Sequence, residues 1–130
     1  MEYLIGVGVA VLVCAFAALS GFDRDRAFYP TVLIVVAHYY ILFAVMASSG
    51  ALTGELLAAC AFVVMAVVGF RKNLWWAAAG LVGHGVFDFV HHLFIQNAGV
   101  PVYWPGFCAS FDIVAGVVVG MLVWRRSGLA

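Results

Sequence analysis

The sequence predicts an all-α integral membrane bundle of five transmembrane helices, and three observations lead there. Hydrophobic residues fill 67% of the 130 positions and charged residues only 9%, with a mean hydropathy of +1.15. The apolar residues gather in runs long enough to cross a bilayer as helices, far longer than a soluble core needs. The polar links between runs are short, which predicts a single transmembrane domain over residues 1–130 with no soluble module.

The runs are read in order as spans at residues 4–19, 29–47, 53–70, 74–96 and 106–124. The first is expected to stay as a helix, because Met1-Glu2-Tyr3 lacks the positive segment that opens a signal peptide. Val13, just before Cys14, is too bulky for a lipoprotein signal. An Asp23-Arg24-Asp25-Arg26 turn leads to the second span, where Pro30 falls in the first helical turn and its missing N–H costs little. Ser48-Ser49-Gly50 separates the second and third, and Arg71-Lys72-Asn73 makes a tight turn into the fourth. Residues 97–105, with Gly99, Pro101 and Pro105, form the longest link, and the fifth span closes on Arg125-Arg126.

Sidedness follows from the basic residues, since cytoplasmic loops keep Lys and Arg. All 6 of them, Arg24, Arg26, Arg71, Lys72, Arg125 and Arg126, fall on one side of a five-span arrangement, which puts the N-terminus outside and the C-terminus in the cytoplasm. Trp75, Trp76, Tyr103, Trp104 and Trp124 fall at the expected interfaces. The formal net charge is zero, so there is no basic surface for nucleic acid, and membrane lipid is the expected partner. The 3 cysteines, Cys14, Cys60 and Cys108, are scattered and suggest neither a disulfide framework nor a zinc ribbon.

The fourth run carries Gly83-His84-Gly85-Val86-Phe87-Asp88-Phe89-Val90-His91-His92, an ionisable cluster inside apolar sequence. An Asp at mid-bilayer costs about 3 kcal/mol on insertion scales, so such a residue faces the bundle interior and marks a site. At four-residue spacing Trp76, Gly80, His84, Asp88 and His92 form one stripe, with His91 beside it, and Cys108, Asp112, Gly116, Gly120 and Trp124 form another on the fifth span. A turn centred near Val100 sets Asp88 against Asp112, His84 against Gly116 and His92 against Cys108, although the irregular link leaves the register free by a few residues. Both acids then lie in the outer half of the bilayer.

Two opposed carboxylates in low dielectric must share a proton, take charge from His or Arg, or bind a cation. The expected metal ligands are His84, Asp88, His92, Asp112 and His38, the last reaching in from the second span, for a divalent transition metal such as zinc or iron. Cys108 is a further candidate to close the shell, and Glu55 is expected at the entrance. Asp88 and His91 are the expected catalytic pair, moving protons beside an ion that activates water. Three readings stay open: a metal-binding protein acting as an enzyme on a lipidic substrate, a small ion- or proton-coupled transporter or channel component working as a homo-oligomer, and a non-catalytic structural or partner-binding subunit.

The phrases Phe22-Asp23-Arg24-Asp25-Arg26-Ala27-Phe28-Tyr29-Pro30 and His91-His92 through Pro105-Gly106-Phe107-Cys108 resemble stretches of a family of small multi-pass bacterial membrane proteins with no assigned activity. The resemblance covers most of the chain from Gly21 onward and implies a bacterial inner-membrane location, without a substrate. Membrane hydrolases of the ceramidase and adiponectin-receptor type also hold zinc with intramembrane His and Asp. Five spans are too few for that fold and its spaced motifs are not matched, so the likeness is one of chemistry.

Overall fold

The computed structural model describes residues 1–127 as an all-α bundle of five helices. They are α1 (Glu2–Ser20), α2 (Phe28–Met46), α3 (Leu52–Arg71), α4 (Trp75–Phe94) and α5 (Trp104–Arg126), with a short 3-10 turn at Phe22–Arg24. Four of them, α1, α2, α3 and α5, are long and apolar enough to cross a membrane. The helix α4 falls outside that set, because its glycines, histidines and Asp88 dilute an otherwise apolar segment. The surface is that of a bundle turned inside out. Leu4, Leu12, Phe16, Leu57, Val64 and Phe94 are exposed, while His84, Asp88, Glu55 and Asp112 are among the most deeply buried side chains. Hydrocarbon rather than water is the solvent that such a surface suits.

Each boundary has a local cause. The helix α1 ends at Gly21, whose left-handed φ of 84° lets the chain reverse without a Cβ clash. The helix α2 closes with Ser48 in the same left-handed region at φ 49°, the Ser49 amide donating to the Ala44 carbonyl and the Ser48 amide to Val45. The helix α4 ends at Ile95, which is extended, and α5 begins with Pro105 in its first turn.

The helices pack in the spatial order α1, α5, α4, α3, α2, with α2 also touching α4 and α5. Among the described residues the α1 and α2 backbones do not pack directly on each other, and a groove lined by both runs between them, floored by α5. The most extensive helix contact is between α4 and α5, and their backbones lie close there. A Cβ on Gly116 would lie 2.6 Å from Val82 Cγ2 and 2.9 Å from the Val82 nitrogen, and one on Gly85 would lie 3.0 Å from the Ala109 carbonyl oxygen. Small residues let the two backbones close up, as helix pairs in lipid require.

Those contacts also set the register, and it differs from the symmetric turn expected from the sequence. Gly116 faces Val82 rather than His84, and Gly85 sits beside Asp112, a slip of about one helical turn. The result pairs His84 with Asp112, where Asp88 was expected.

Candidate functional site

His84 and Asp88 lie one turn apart on the buried face of α4, and Cys108 and Asp112 lie one turn apart on the facing side of α5. These four residues each offer one ligand atom to a group in which all such atoms lie within 4.8 Å of one another. His84 Nδ1 is 2.6 Å from Asp112 Oδ2 and 3.6 Å from Asp88 Oδ2. The Cys108 thiol donates to the same Asp112 Oδ2 at 3.6 Å. Tyr40, from α2, donates its hydroxyl to Asp88 Oδ1 at 2.7 Å. The edge of Phe62, from α3, meets the imidazole of His84 at 4.7 Å between ring centres.

Two oxygens of this group are left without a partner. Asp88 Oδ2 and Asp112 Oδ1 are buried and accept no hydrogen bond, although both residues are fully enclosed. A carboxylate oxygen stranded away from water is costly, and two within one buried cluster leave that cluster electron-rich. A divalent ion held by neutral His84, the Cys108 thiolate and two carboxylates would leave one net negative charge, which a proton kept on one carboxylate would cancel. Tetrahedral zinc with bonds of 2.0–2.3 Å needs donor atoms about 3.3–3.8 Å apart, so the widest pair would have to close by about 1 Å and the hydrogen-bonded His84–Asp112 pair, at 2.6 Å, would have to open. The donor set therefore fits a transition metal in kind and nearly in geometry.

A second polar group lies next to the first, toward the end of the bundle formed by the 48–50 and 95–103 links. His91 Nε2 donates to both oxygens of Glu55, at 2.9 and 2.8 Å. Asn97, from the link between α4 and α5, donates to Glu55 Oε2 at 2.6 Å and to the Tyr40 carbonyl at 3.0 Å. The Tyr40 ring stacks on His91, with ring centres 4.0 Å apart. Tyr40 thus touches both groups, one with its hydroxyl and the other with its ring.

Of the residues expected as ligands from the sequence, the structure brings His84, Asp88 and Asp112 together and adds Cys108. It does not bring His38 or His92 to them. His38 is exposed on α2, its ring nitrogen 2.6 Å from the Ile34 carbonyl of its own helix, and His92 is exposed on α4. Both miss the buried face for an angular reason. On α2 the inward residues are Leu33, Val36, Ala37, Tyr40 and Ala44, and His38 points away from that stripe. On α4 a strict four-residue stripe advances about 40° per step, so it winds off the buried face by His92, whereas His91, seven residues after His84, stays within about 20° of it. His91 is consequently buried, but it is held by Glu55 rather than by Asp88, its expected catalytic partner.

Tyr40 and Glu55 were the residues that sequence reasoning undervalued. Glu55 is not at an entrance but 1% exposed, and only a search for the carboxylate's buried partner would have placed it. Tyr40 was legible from its spacing on the apolar stripe of α2. No family model matches the chain, no curated protein matches it, and no solved structure matches it.

Proposed function

We propose that this is a five-span membrane protein, with its N-terminus outside, that holds a divalent transition metal, zinc or iron, between α4 and α5. Its ligands are His84, Asp88, Cys108 and Asp112. One observation carries the reading: two enclosed carboxylates share one buried cluster with an imidazole and a thiol, and among the described residues each keeps one oxygen unpartnered. Such an ion would supply Lewis acidity, and would activate a water only where release of one ligand or an expanded shell opens a coordination position. The protein's own part is to orient and to dry the site. Tyr40 fixes the rotation of the Asp88 carboxylate, Asp112 orients the His84 ring, and Phe62 and Phe87 wall off His84.

The groove between α1 and α2 supports a lipidic substrate. It is a cavity of about 350 Å³ with apolar walls that include Val13, Val32, Val35 and Phe111, and Cys108 stands in its floor. The Cys108 thiol reaches Asp112, so the groove borders one of the candidate ligands directly. An acyl chain entering from the bilayer would arrive beside the metal without crossing water.

The test is elemental analysis of protein purified in detergent. Stoichiometric zinc or iron in the wild type, lost in Asp88→Asn and in Asp112→Asn, is the expected result. Absence of either metal from the wild type, both as purified and after loading, overturns the proposal. A second reading, transport of an ion or proton by a homo-oligomer, is favoured by the Glu55–His91–Asn97 group next to the first site. It would be selected by flux in proteoliposomes that Glu55→Gln abolishes while metal content is unchanged.

A further inference from the structure

The opposite end of the bundle holds a feature that the metal site does not use. Arg24, Arg26, Lys72 and Arg126 line one open cavity of about 440 Å³, where the 3-10 turn, the end of α3, the start of α4 and the end of α5 meet. Four cations around one space repel one another unless an anion is shared between them. The carboxylates of the neighbouring loop offset only the charge of Arg126. Asp23 is buried, 3.8 Å from Arg126, and Asp25 caps the Ala27 amide at 2.9 Å. Among the described residues neither Arg24 nor Lys72 has a salt-bridge partner. Arg26 is tethered through Nε to the Phe70 carbonyl, which fixes its guanidinium at the rim.

The rest of the wall is not basic. Asn73 and Ser127 add polar groups, and Leu74, Val123 and the half-exposed Trp75 give it one apolar side. Cations beside an apolar wall and an indole suit an anion attached to a hydrocarbon body at the membrane surface. We infer that this cavity binds the phosphate of an anionic membrane lipid headgroup. Arg24 and Lys72 supply the unpaired charges, and Trp75 takes the glycerol and the start of the acyl chains. A free phosphate shares the anion but makes no use of the Trp75 wall. The inference is independent of the metal reading, because no residue is common to the two sites.

The test uses full-length protein in vesicles of phosphatidylcholine doped with phosphatidylglycerol, with retained lipid measured by mass spectrometry after extraction in detergent. The wild type retains phosphatidylglycerol, and excess inorganic phosphate does not displace it. The double variant Arg24→Gln, Lys72→Gln weakens retention by about fivefold per cation, or about thirtyfold for the pair. Arg71→Gln with Arg125→Gln, which removes the same charge outside the cavity, leaves retention unchanged. The charge-preserving pair Arg24→Lys, Lys72→Arg keeps retention, which separates lost charge from lost folding. Equal losses in the two Gln pairs would mean that bulk charge attracts the lipid, and displacement by inorganic phosphate would make free phosphate the ligand. Either outcome overturns the assignment.

Discussion

Tyr40 and His91 lie ring on ring, their centres 4.0 Å apart and their planes within 10°, while the Tyr40 hydroxyl donates to Asp88 at 2.7 Å. One side chain of α2 thereby fixes the heights of both polar groups on α4. Removing the hydroxyl alone separates its two roles. Tyr40→Phe is expected to keep the stack, to strand a second Asp88 oxygen at about 1–3 kcal/mol, and to weaken metal binding by about 10- to 100-fold. Denaturation and competitive metal titration in detergent measure the two effects.

Exposed histidines give the matching negative result. His38→Ala and His92→Ala should each leave metal content at the wild-type level and change stability by less than about 0.5 kcal/mol. His84→Ala should abolish metal binding. Metal loss from either exposed variant would show that the donor set is drawn wrongly.

Glu55 holds His91 and Asn97 together, so its removal should act on the link as well as on the helix. Glu55→Ala leaves the buried His91 donor unpaired at about 1–3 kcal/mol and takes from Asn97 one of its two acceptors. Hydrogen exchange in residues 95–103 should rise, because Asn97 loses its hold on α3. Unchanged exchange there would mean that the Tyr40 carbonyl alone anchors the link.

The approach of α4 to α5 can be tested with one methyl group. Gly116→Ala should destabilise the bundle by about 1–3 kcal/mol and spread the four ligands, because the new Cβ would meet both side chain and backbone of Val82. Gly83 has open space where a Cβ would go, so Gly83→Ala should be neutral or gain up to about 1 kcal/mol from helix propensity. A thermal melt of the two variants compares them directly.

Ser48 carries a left-handed φ of 49° that other residues than Gly adopt at a cost. Ser48→Gly should stabilise the protein by about 0.5–1 kcal/mol without affecting the polar groups, as chemical denaturation would report.

The sequence by itself determined the solvent of this protein, its helix count and the two helices that carry the acids. Those follow from composition and from the cost of placing His84, Asp88 and Asp112 in apolar runs, and neither depends on how the helices meet. The start of α2 was legible for the same local reason, since Pro30 acts within a turn of itself, whereas Pro105 was expected in the link and lies inside α5. Tertiary packing decided the rest. Whether His84 or Asp88 faces Asp112 depends on where Gly85 and Gly116 let α4 and α5 close, a choice worth one turn that the irregular link leaves open. Which histidine turns inward depends on the 3.6-residue period carried over several turns, where a small angular error per step grows until it moves His92 out and His91 in. Glu55 was beyond reach for a simpler reason: its partners His91 and Asn97 lie 36 and 42 residues away, and only the folded chain brings such distant donors to one carboxylate.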